Sequence, residues 1–63
     1  MAHLLYRNAN HIIRARSIWQ HTGHGEAWSV RAVESDVVHV ESLDGRDRAE
    51  FPVAELLRDY VEI

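Results

Sequence analysis

The chain has 63 residues and a formal net charge of -3, with seven arginines, no lysine and no cysteine. A chain of this length buries only about 60% of its unfolded surface, which excludes a two-domain enzyme. The lack of cysteine excludes disulfides and thiolate metal sites. A hydrophobic fraction of 46% argues against disorder. We therefore expect one folded domain, residues 1–63, that is not an enzyme and holds no cofactor.

The charges are unevenly distributed along the chain. Residues 1–25 contain three arginines and no acid, whereas residues 26–63 contain all ten acids and four arginines. The net charge is too low for a strongly basic nucleic-acid binder. A segregated acidic segment is typical of a solvated surface, or of a surface that meets a basic partner.

The segment before residue 22 is compatible with two structures. As a strand, it places Ile13 and Trp19 on one face and arginines on the other. As a helix over about 10–21, it begins at Asn10 as a cap. The β-branched Ile12 next to Ile13, and the absence of acids in the first turn of that helix, favour the strand.

A β-hairpin is predicted after a glycine-containing loop at 21–25. Residues 27–33 and 37–43 alternate between apolar and polar side chains, which is typical of half-buried strands. Residues 34–36 form the turn between them. The side chains expected to face the core are Trp28, Val30, Ala32, Val38 and Val40.

The rest of the chain predicts a turn, a strand, a short helix and a last strand. Asp44-Gly45 supplies the positive φ that a tight hairpin needs, and residues 48–51 continue as a strand. Pro52 ends that strand and suits the start of a helix. The helix is expected to show an apolar stripe, made of Val53, Leu56, Leu57 and Tyr60. Residues 61–63 form the last strand.

The predicted fold is mainly β: a small SH3-like antiparallel barrel or curled sheet with one short C-terminal helix. The alternative is an α+β fold, in which the helix over about 10–21 packs on a three-stranded antiparallel sheet. No segment is apolar and long enough to cross a membrane, and no signal peptide is recognisable.

From residue 18 to 63 the chain resembles short phage-encoded proteins of unknown function, which carry an aromatic strand, a V-x-x-V strand, a V-x-V strand and a closing aromatic after Arg-Asp. The matching residues are Ile18-Trp19, Gly25, Trp28-Ser29-Val30, Val33, Val38-His39-Val40, Gly45, Phe51, Leu56 and Arg58-Asp59-Tyr60. By size and acidity the chain also resembles anti-CRISPR-type inhibitors. These resemblances imply an inhibitor or adaptor in the cytoplasm of a bacterial host.

Candidate sites for chemistry are few. His21 and His24 are separated by two residues, but a zinc site needs at least three protein ligands and no spacing brings a third one near. We therefore expect no metal site. The aromatic residues are expected mainly in the core, with an exposed binding platform as the alternative; they include Trp19, Trp28, Phe51 and Tyr60.

The first functional hypothesis is a protein-binding module without catalytic activity. Five acids near the last turn and the helix are expected to share a surface that meets a basic host protein, such as one that itself binds nucleic acid. These residues are Asp44, Asp47, Glu50, Glu55 and Asp59. Charge complementarity of this kind speeds association and suppresses wrong partners.

Two further hypotheses use other parts of the chain. In one, Arg7, Arg14 and Arg16 bind nucleic acid weakly, because three arginines offer few phosphate contacts. In the other, the strand at 61–63 pairs with a second copy to form a homo-oligomer. No membrane partner is expected.

Overall fold

The computed structural model describes residues 4–8 and 11–63, without the side chains of Asn8 and His11. Within these residues the chain forms seven strands and one helix. They are β1 (Leu4–Asn8), β2 (His11–Arg14), β3 (Ile18–His21), β4 (Ala27–Glu34), β5 (Val37–Ser42), β6 (Arg48–Pro52), α1 (Val53–Asp59) and β7 (Tyr60–Glu62). The prediction of a mainly β fold with one short C-terminal helix is confirmed.

The strands form two antiparallel sheets. β1 and β2 make a separate hairpin, and the other five strands follow the order β6-β5-β4-β3-β7. The last strand therefore returns to lie beside β3 after the helix. Among the described residues no ladder joins β6 to β7. The sheet is open, so the closed form of the predicted barrel is not observed.

The N-terminal segment contains no helix among residues 4–8 and 11–21, so the α+β alternative is wrong. β2 and β3 occupy that region, separated by a turn in which Arg16 has a φ of 66°. The prediction of one continuous strand is wrong as well, because this left-handed residue breaks it. Asn10, the expected cap, lies outside the described residues. Ile13 and Trp19 are both buried, although they lie in different sheets.

The β4–β5 hairpin closes through a two-residue turn. Ser35 and Asp36 have φ values of 45° and 65°, the positive values of the primed turns that match strand twist. The backbone N–H of Val53 donates to the carbonyl of Asp36 over 2.7 Å. The start of α1 is therefore fixed to this turn, although Pro52 provides no side-chain cap.

A β-bulge interrupts β4 and corrects one predicted core residue. Val30 pairs with Val40, but the next pair joins Ala32 to His39, which leaves Arg31 as the extra residue. The bulge reverses the alternation after Val30. Ala32 thus lies on the same face as His39, and Val33 packs against the core in its place.

The core lies between the inner face of the five-stranded sheet, α1 and the β1–β2 hairpin. Its fully buried large side chains come from all three parts; they are Ile13, Val30, Val38, Val40 and Leu56. Each side chain of this size stabilises the fold by about 1.5–3 kcal/mol when buried. Val53 and Leu56 of the predicted helix stripe are buried and Leu57 is partly buried, but Tyr60, predicted as the end of that stripe, is buried as the first residue of β7.

The helix connects the two ends of the sheet. It begins at the β4–β5 turn, and its last carbonyl, that of Asp59, accepts hydrogen bonds from both the backbone N–H and the hydroxyl of Thr22. Seven residues span about 10 Å, enough to cross the inner face obliquely. Tyr60, which follows the helix, therefore lies next to the β3–β4 loop and pairs with His21, the last residue of β3.

Candidate functional site

Two connections lie at one end of the five-stranded sheet. One is the β3–β4 loop, residues 22–26, and the other is the β5–β6 turn, residues 43–47. They lie at the same end because Trp28, which follows the loop, pairs with Ser42, which precedes the turn. The helix also ends here, since Asp59 bonds to Thr22. We call this the acidic end, because both connections and the helix terminus carry carboxylates.

A cluster of rings lies beneath the acidic end. Tyr60 is only 6% exposed, and its ring lies 5.4 Å from that of Phe51 and 5.0 Å, edge to face, from the imidazole of His21. Trp28 meets Phe51 edge to face at 6.1 Å. These offset arrangements suit aromatic quadrupoles. The rings are mainly core, as expected, but they form the rim of the core and not its centre.

The phenol of Tyr60 reports the electrostatic field at this end. Burial raises its pKa first, and the negative charges of Glu55, Glu26 and Asp59 raise it further, because all of them disfavour a phenolate. These carboxylates come from the helix and from the β3–β4 loop. These carboxylates around Tyr60 are therefore brought together in space from two separate segments of chain.

The indole N–H of Trp28 is a buried donor without a partner in hydrogen-bonding geometry. It has a weak effect on Tyr60: it lowers the pKa of the phenol, whereas burial and the nearby carboxylates raise it. A buried polar group left unpaired costs about 1–3 kcal/mol. This donor therefore acts on the hydroxyl of Tyr60 without reaching hydrogen-bonding geometry.

His21, the last residue of β3, and His24 of the β3–β4 loop are stacked, with ring centroids 3.7 Å apart. Nδ1 of His21 accepts hydrogen bonds from the backbone N–H groups of Gly23 and His24, and Nδ1 of His24 accepts one from Glu26. An accepting Nδ1 leaves the proton of a neutral ring on Nε2.

A metal at either Nε2 would require the proton to move to Nδ1 and these bonds to break. Both histidines therefore serve the loop conformation. No group of three or more His, Cys, Asp or Glu that could hold a metal ion exists in the described part of the chain.

Of the five predicted partner-binding acids, Asp44 and Asp47 lie in the β5–β6 turn. Asp44 accepts hydrogen bonds from the hydroxyl of Ser42 and the backbone N–H of Arg46, which lower its pKa in that order. The turn also carries Arg46, whereas Arg48, which follows the turn, pairs with Glu41 on the outer face. Arg46 therefore offsets only one of the two acids locally.

The other three predicted acids are divided between two surfaces. Glu55 and Asp59 lie on the helix near Tyr60, where Asp59 forms a bidentate pair with Arg58 at 3.0 Å. This hydrogen bond lowers the pKa of Asp59. Glu50 lies on the outer face of β6 and contacts Nδ1 of His39 at 3.1 Å. The structure thus does not bring all five acids together.

The predicted nucleic-acid residues lie on and after the first hairpin. Arg7 is in β1, opposite Ile12, and Arg14 ends β2. Arg16 occupies the turn that follows, and its backbone N–H donates to the carbonyl of Val30 over 2.8 Å. Arg16 is therefore joined to the large sheet, whereas Arg7 and Arg14 belong to the small one.

Two features were not predicted from the sequence. Glu26 acts on Tyr60 only because the helix brings these residues together, and no local pattern indicates that. On the outer face, Glu41 receives Arg31 at 3.7 Å and Arg48 at 3.5 Å, one on each carboxylate oxygen. The second of these pairs was recognisable in principle, because Glu41 and Arg48 face each other across the predicted hairpin.

No protein-family model, curated protein or solved structure matches this chain. None of the helical segments in residues 4–8 and 11–63 has the length and apolar character needed to cross a membrane.

Proposed function

We propose that this protein is a non-catalytic protein-binding module that presents its acidic end to a basic site on another protein. The observation that carries this proposal is that Glu26 and Asp59 meet at one end of the sheet. The backbone of Glu26 bonds to His21, the strand partner of Tyr60, and the backbone of Asp59 bonds to Thr22. The charges of both, and that of Glu55, act on the phenol of Tyr60. Such a cluster attracts arginine and lysine side chains, and steers a basic partner during encounter. Asp44 and Asp47 extend the same end of the sheet.

Glu26 supplies charge at the acidic end itself, and Glu55 adds charge from the first turn of α1. Asp59 is paired with Arg58, but neither glutamate forms an ion pair within the described residues. Both charges are therefore available to a ligand. Below them, the ring cluster of Tyr60, Phe51 and Trp28 offers a rigid apolar floor, and rigid aromatic residues are frequent centres of binding energy.

The biological setting in the proposal is a bacterial cell, with the protein encoded by a phage or mobile element and acting in the cytoplasm as an inhibitor or adaptor of the anti-CRISPR kind. An acidic surface suits that activity, because it competes with nucleic acid for a basic channel. We also assign the fold to the SH3-like group. The strand order supports this, because a meander, a helical turn and a last strand beside the first follow one another.

The direct test uses a deca-arginine peptide as a model basic ligand, with affinity measured by calorimetry at 50 and 200 mM salt. We expect Glu26→Lys to weaken binding about fivefold, and higher salt to weaken the wild type, because exposed charge pairs contribute up to about 1 kcal/mol each. The matched control is Glu34→Lys, an exposed glutamate at the opposite end of the sheet. Equal losses in both variants would contradict the proposal.

The natural partner is sought by capture from a bacterial host lysate with tagged wild type and with Glu26→Lys in parallel. A basic protein retained by the wild type, lost with Glu26→Lys and kept by Glu34→Lys is the expected result. Partners that bind all three proteins equally, or that are acidic themselves, would speak against the acidic end as the binding surface.

A further inference from the structure

Two clefts lie side by side on the sheet, and arginines line both of them. The larger, about 470 Å³, lies on the outer face of β4–β6 between Arg31, Arg48 and His39. The smaller, about 320 Å³, lies between Arg16 and Arg31. Arg31 is thus shared. We call the two together the arginine clefts.

Two backbone irregularities place arginines at the arginine clefts. Arg31 is the extra residue of the bulge in β4, and bulges re-aim a side chain. Arg16 has a φ of 66°, a conformation that glycine adopts freely and arginine adopts at a cost. The chain therefore carries arginine at two positions where a regular strand or a glycine would be easier to accommodate.

Glu41 positions the guanidinium groups of Arg31 and Arg48 without neutralising both charges. Its side chain is only 19% exposed, whereas the side chains of Arg31 and Arg48 are 55% and 80% exposed. One carboxylate offsets one charge of the two. The guanidinium of Arg16, in the lining of the smaller cleft, makes no hydrogen bond or ion pair within the described residues. The three arginines, counted against Glu41 and against Glu50 in the wall of the larger cleft, therefore leave an excess of about one positive charge on a largely acidic protein.

His39 and Glu50 complete the wall of the larger cleft, and Glu50 forms its ion pair with His39 and not with these arginines. Nε2 and Nδ1 of His39 contact Glu34 at 3.4 Å and Glu50 at 3.1 Å. These two carboxylates are therefore directed to the imidazole. The anion-binding capacity of the cleft remains with Arg31 and Arg48.

We propose that the arginine clefts bind phosphate groups of one extended ligand, with single-stranded nucleic acid as the source that fits best. Guanidinium groups match phosphate oxygens in a planar, bidentate geometry. Arg16 lies beside β4, and Arg48 lies two strands beyond it, so the row of arginines spans about 14 Å across the strands. A row of that length suits a chain with repeated charges better than one phosphate.

This site differs from the acidic end and does not depend on the proposed protein partner. It also differs from the predicted set of Arg7, Arg14 and Arg16. The structure retains Arg16 and adds Arg31 and Arg48, which the sequence separates widely and the sheet brings into one row.

The test measures fluorescence anisotropy of a labelled ten-nucleotide thymidine strand at pH 7.5. Three phosphate contacts predict that the logarithm of the binding constant falls with the logarithm of salt with a slope of about -2, or about 20-fold from 50 to 200 mM. We expect Arg31→Gln to weaken binding about tenfold and to reduce the slope by about 0.7. The matched control is Arg46→Gln, an exposed arginine in the β5–β6 turn.

A second variant separates binding from folding. Arg16→Gly removes a cation but relieves a left-handed residue, so we expect weaker binding together with an unchanged or higher Tm. Competition with ATP and with inorganic phosphate distinguishes the source of the phosphate. Binding of ATP that Arg31→Gln abolishes, with none of the thymidine strand, would support the phosphate site but assign it to a free nucleotide.

Two results would overturn the proposal. One is the absence of binding to the thymidine strand, ATP and phosphate alike at 50 mM salt. The other is an equal loss of binding in Arg31→Gln and Arg46→Gln, because it would show only a general effect of protein charge.

Discussion

The two faces of the β4–β5 hairpin are built from alternate residues of the same strands, yet they differ in almost every property. The inner face carries Val30, Val38 and Val40, which are at most 2% exposed. The outer face carries Arg31 and Glu41 in partly exposed ion pairs. Stability therefore resides on the inner face, and the outer face is free to carry binding groups, because exposed ion pairs contribute little to folding.

The largest expected effect comes from truncating the core beneath the inner face. Leu56 is fully buried where α1 crosses the sheet. Leu56→Ala is expected to lower the free energy of unfolding by about 2–5 kcal/mol, since it removes buried methyl groups and leaves a cavity. Urea denaturation measures the change. In a domain of this size such a loss approaches the whole stability.

The matched control is Leu43→Ala. Leu43 is 60% exposed in the β5–β6 turn, so its truncation is expected to change stability by less than about 0.5 kcal/mol. Comparable losses in the two leucine variants would show that the inner face is not where stability resides.

A smaller effect is expected from the outer face. Glu41→Gln removes the charge that holds Arg31 and Arg48 but keeps the shape of the side chain. We expect a loss of up to about 1 kcal/mol in the free energy of unfolding, typical of partly exposed pairs. The same variant frees both guanidinium groups.

Binding of the thymidine strand should therefore become tighter as stability falls slightly. The matched control is Glu34→Gln, which removes a charge that contacts His39 and that lies outside the lining of both arginine clefts. A loss above 3 kcal/mol in Glu41→Gln would show that the outer face is a structural element in its own right.

The inner face was largely predictable from the sequence and the outer face was not. Alternation in β5 and the spacing of Val53, Leu56 and Tyr60 are local patterns, so they indicate buried positions without knowledge of the fold. No local sequence pattern indicates the bulge at Arg31. Because of this bulge, Ala32 lies on the outer face and not in the core as predicted. The break at Arg16 was missed because an arginine, not a glycine, has the positive φ.

The same reason limits the prediction of the candidate sites. Glu55 and Asp59 were predicted because they lie on one helix, whereas Glu26 joins them only through the path of that helix across the sheet. Arg31 and Arg48 likewise meet through the order of strands. Contacts between distant segments depend on topology, which local periodicity does not specify.

The rim of the inner face gives a pH-dependent prediction. The pKa of Tyr60 is raised in the folded state above the value of about 10 in the unfolded chain. The folded state therefore holds the proton more tightly, and stability falls as pH rises from about 10 through the folded-state pKa. Tyr60→Phe is expected to lack this part of the alkaline loss. Thermal unfolding at pH 9 and 11 measures it.

Absorbance titration of the Tyr6→Phe variant isolates the phenol of Tyr60, because these are the two tyrosines of the chain. Its midpoint is expected above 10. Glu26→Gln in the same background should lower that midpoint, since it removes one of the charges that disfavour the phenolate. A midpoint below 10, or one that Glu26→Gln leaves unchanged, would contradict the inference that negative charge near Tyr60 raises its pKa.

The smallest expected effect concerns an exposed pair at the end of the helix. The hydrogen bond from Arg58 lowers the pKa of Asp59 in the folded protein. Arg58→Gln should therefore raise that pKa toward its usual value, which NMR titration of the carboxyl carbon measures directly. The stabilisation from this pair is present above the unfolded-state pKa of about 3.9 and is lost as pH falls through the folded-state value.

Because the pair is solvent-exposed, thermal unfolding at neutral pH should barely change in Arg58→Gln. The carboxylate of Asp59, released from its partner, should instead strengthen binding of deca-arginine at the acidic end. Weaker binding in this variant would show that Arg58 orients the carboxylate of Asp59 for the ligand. It would contradict the view that Arg58 competes with the ligand for that carboxylate.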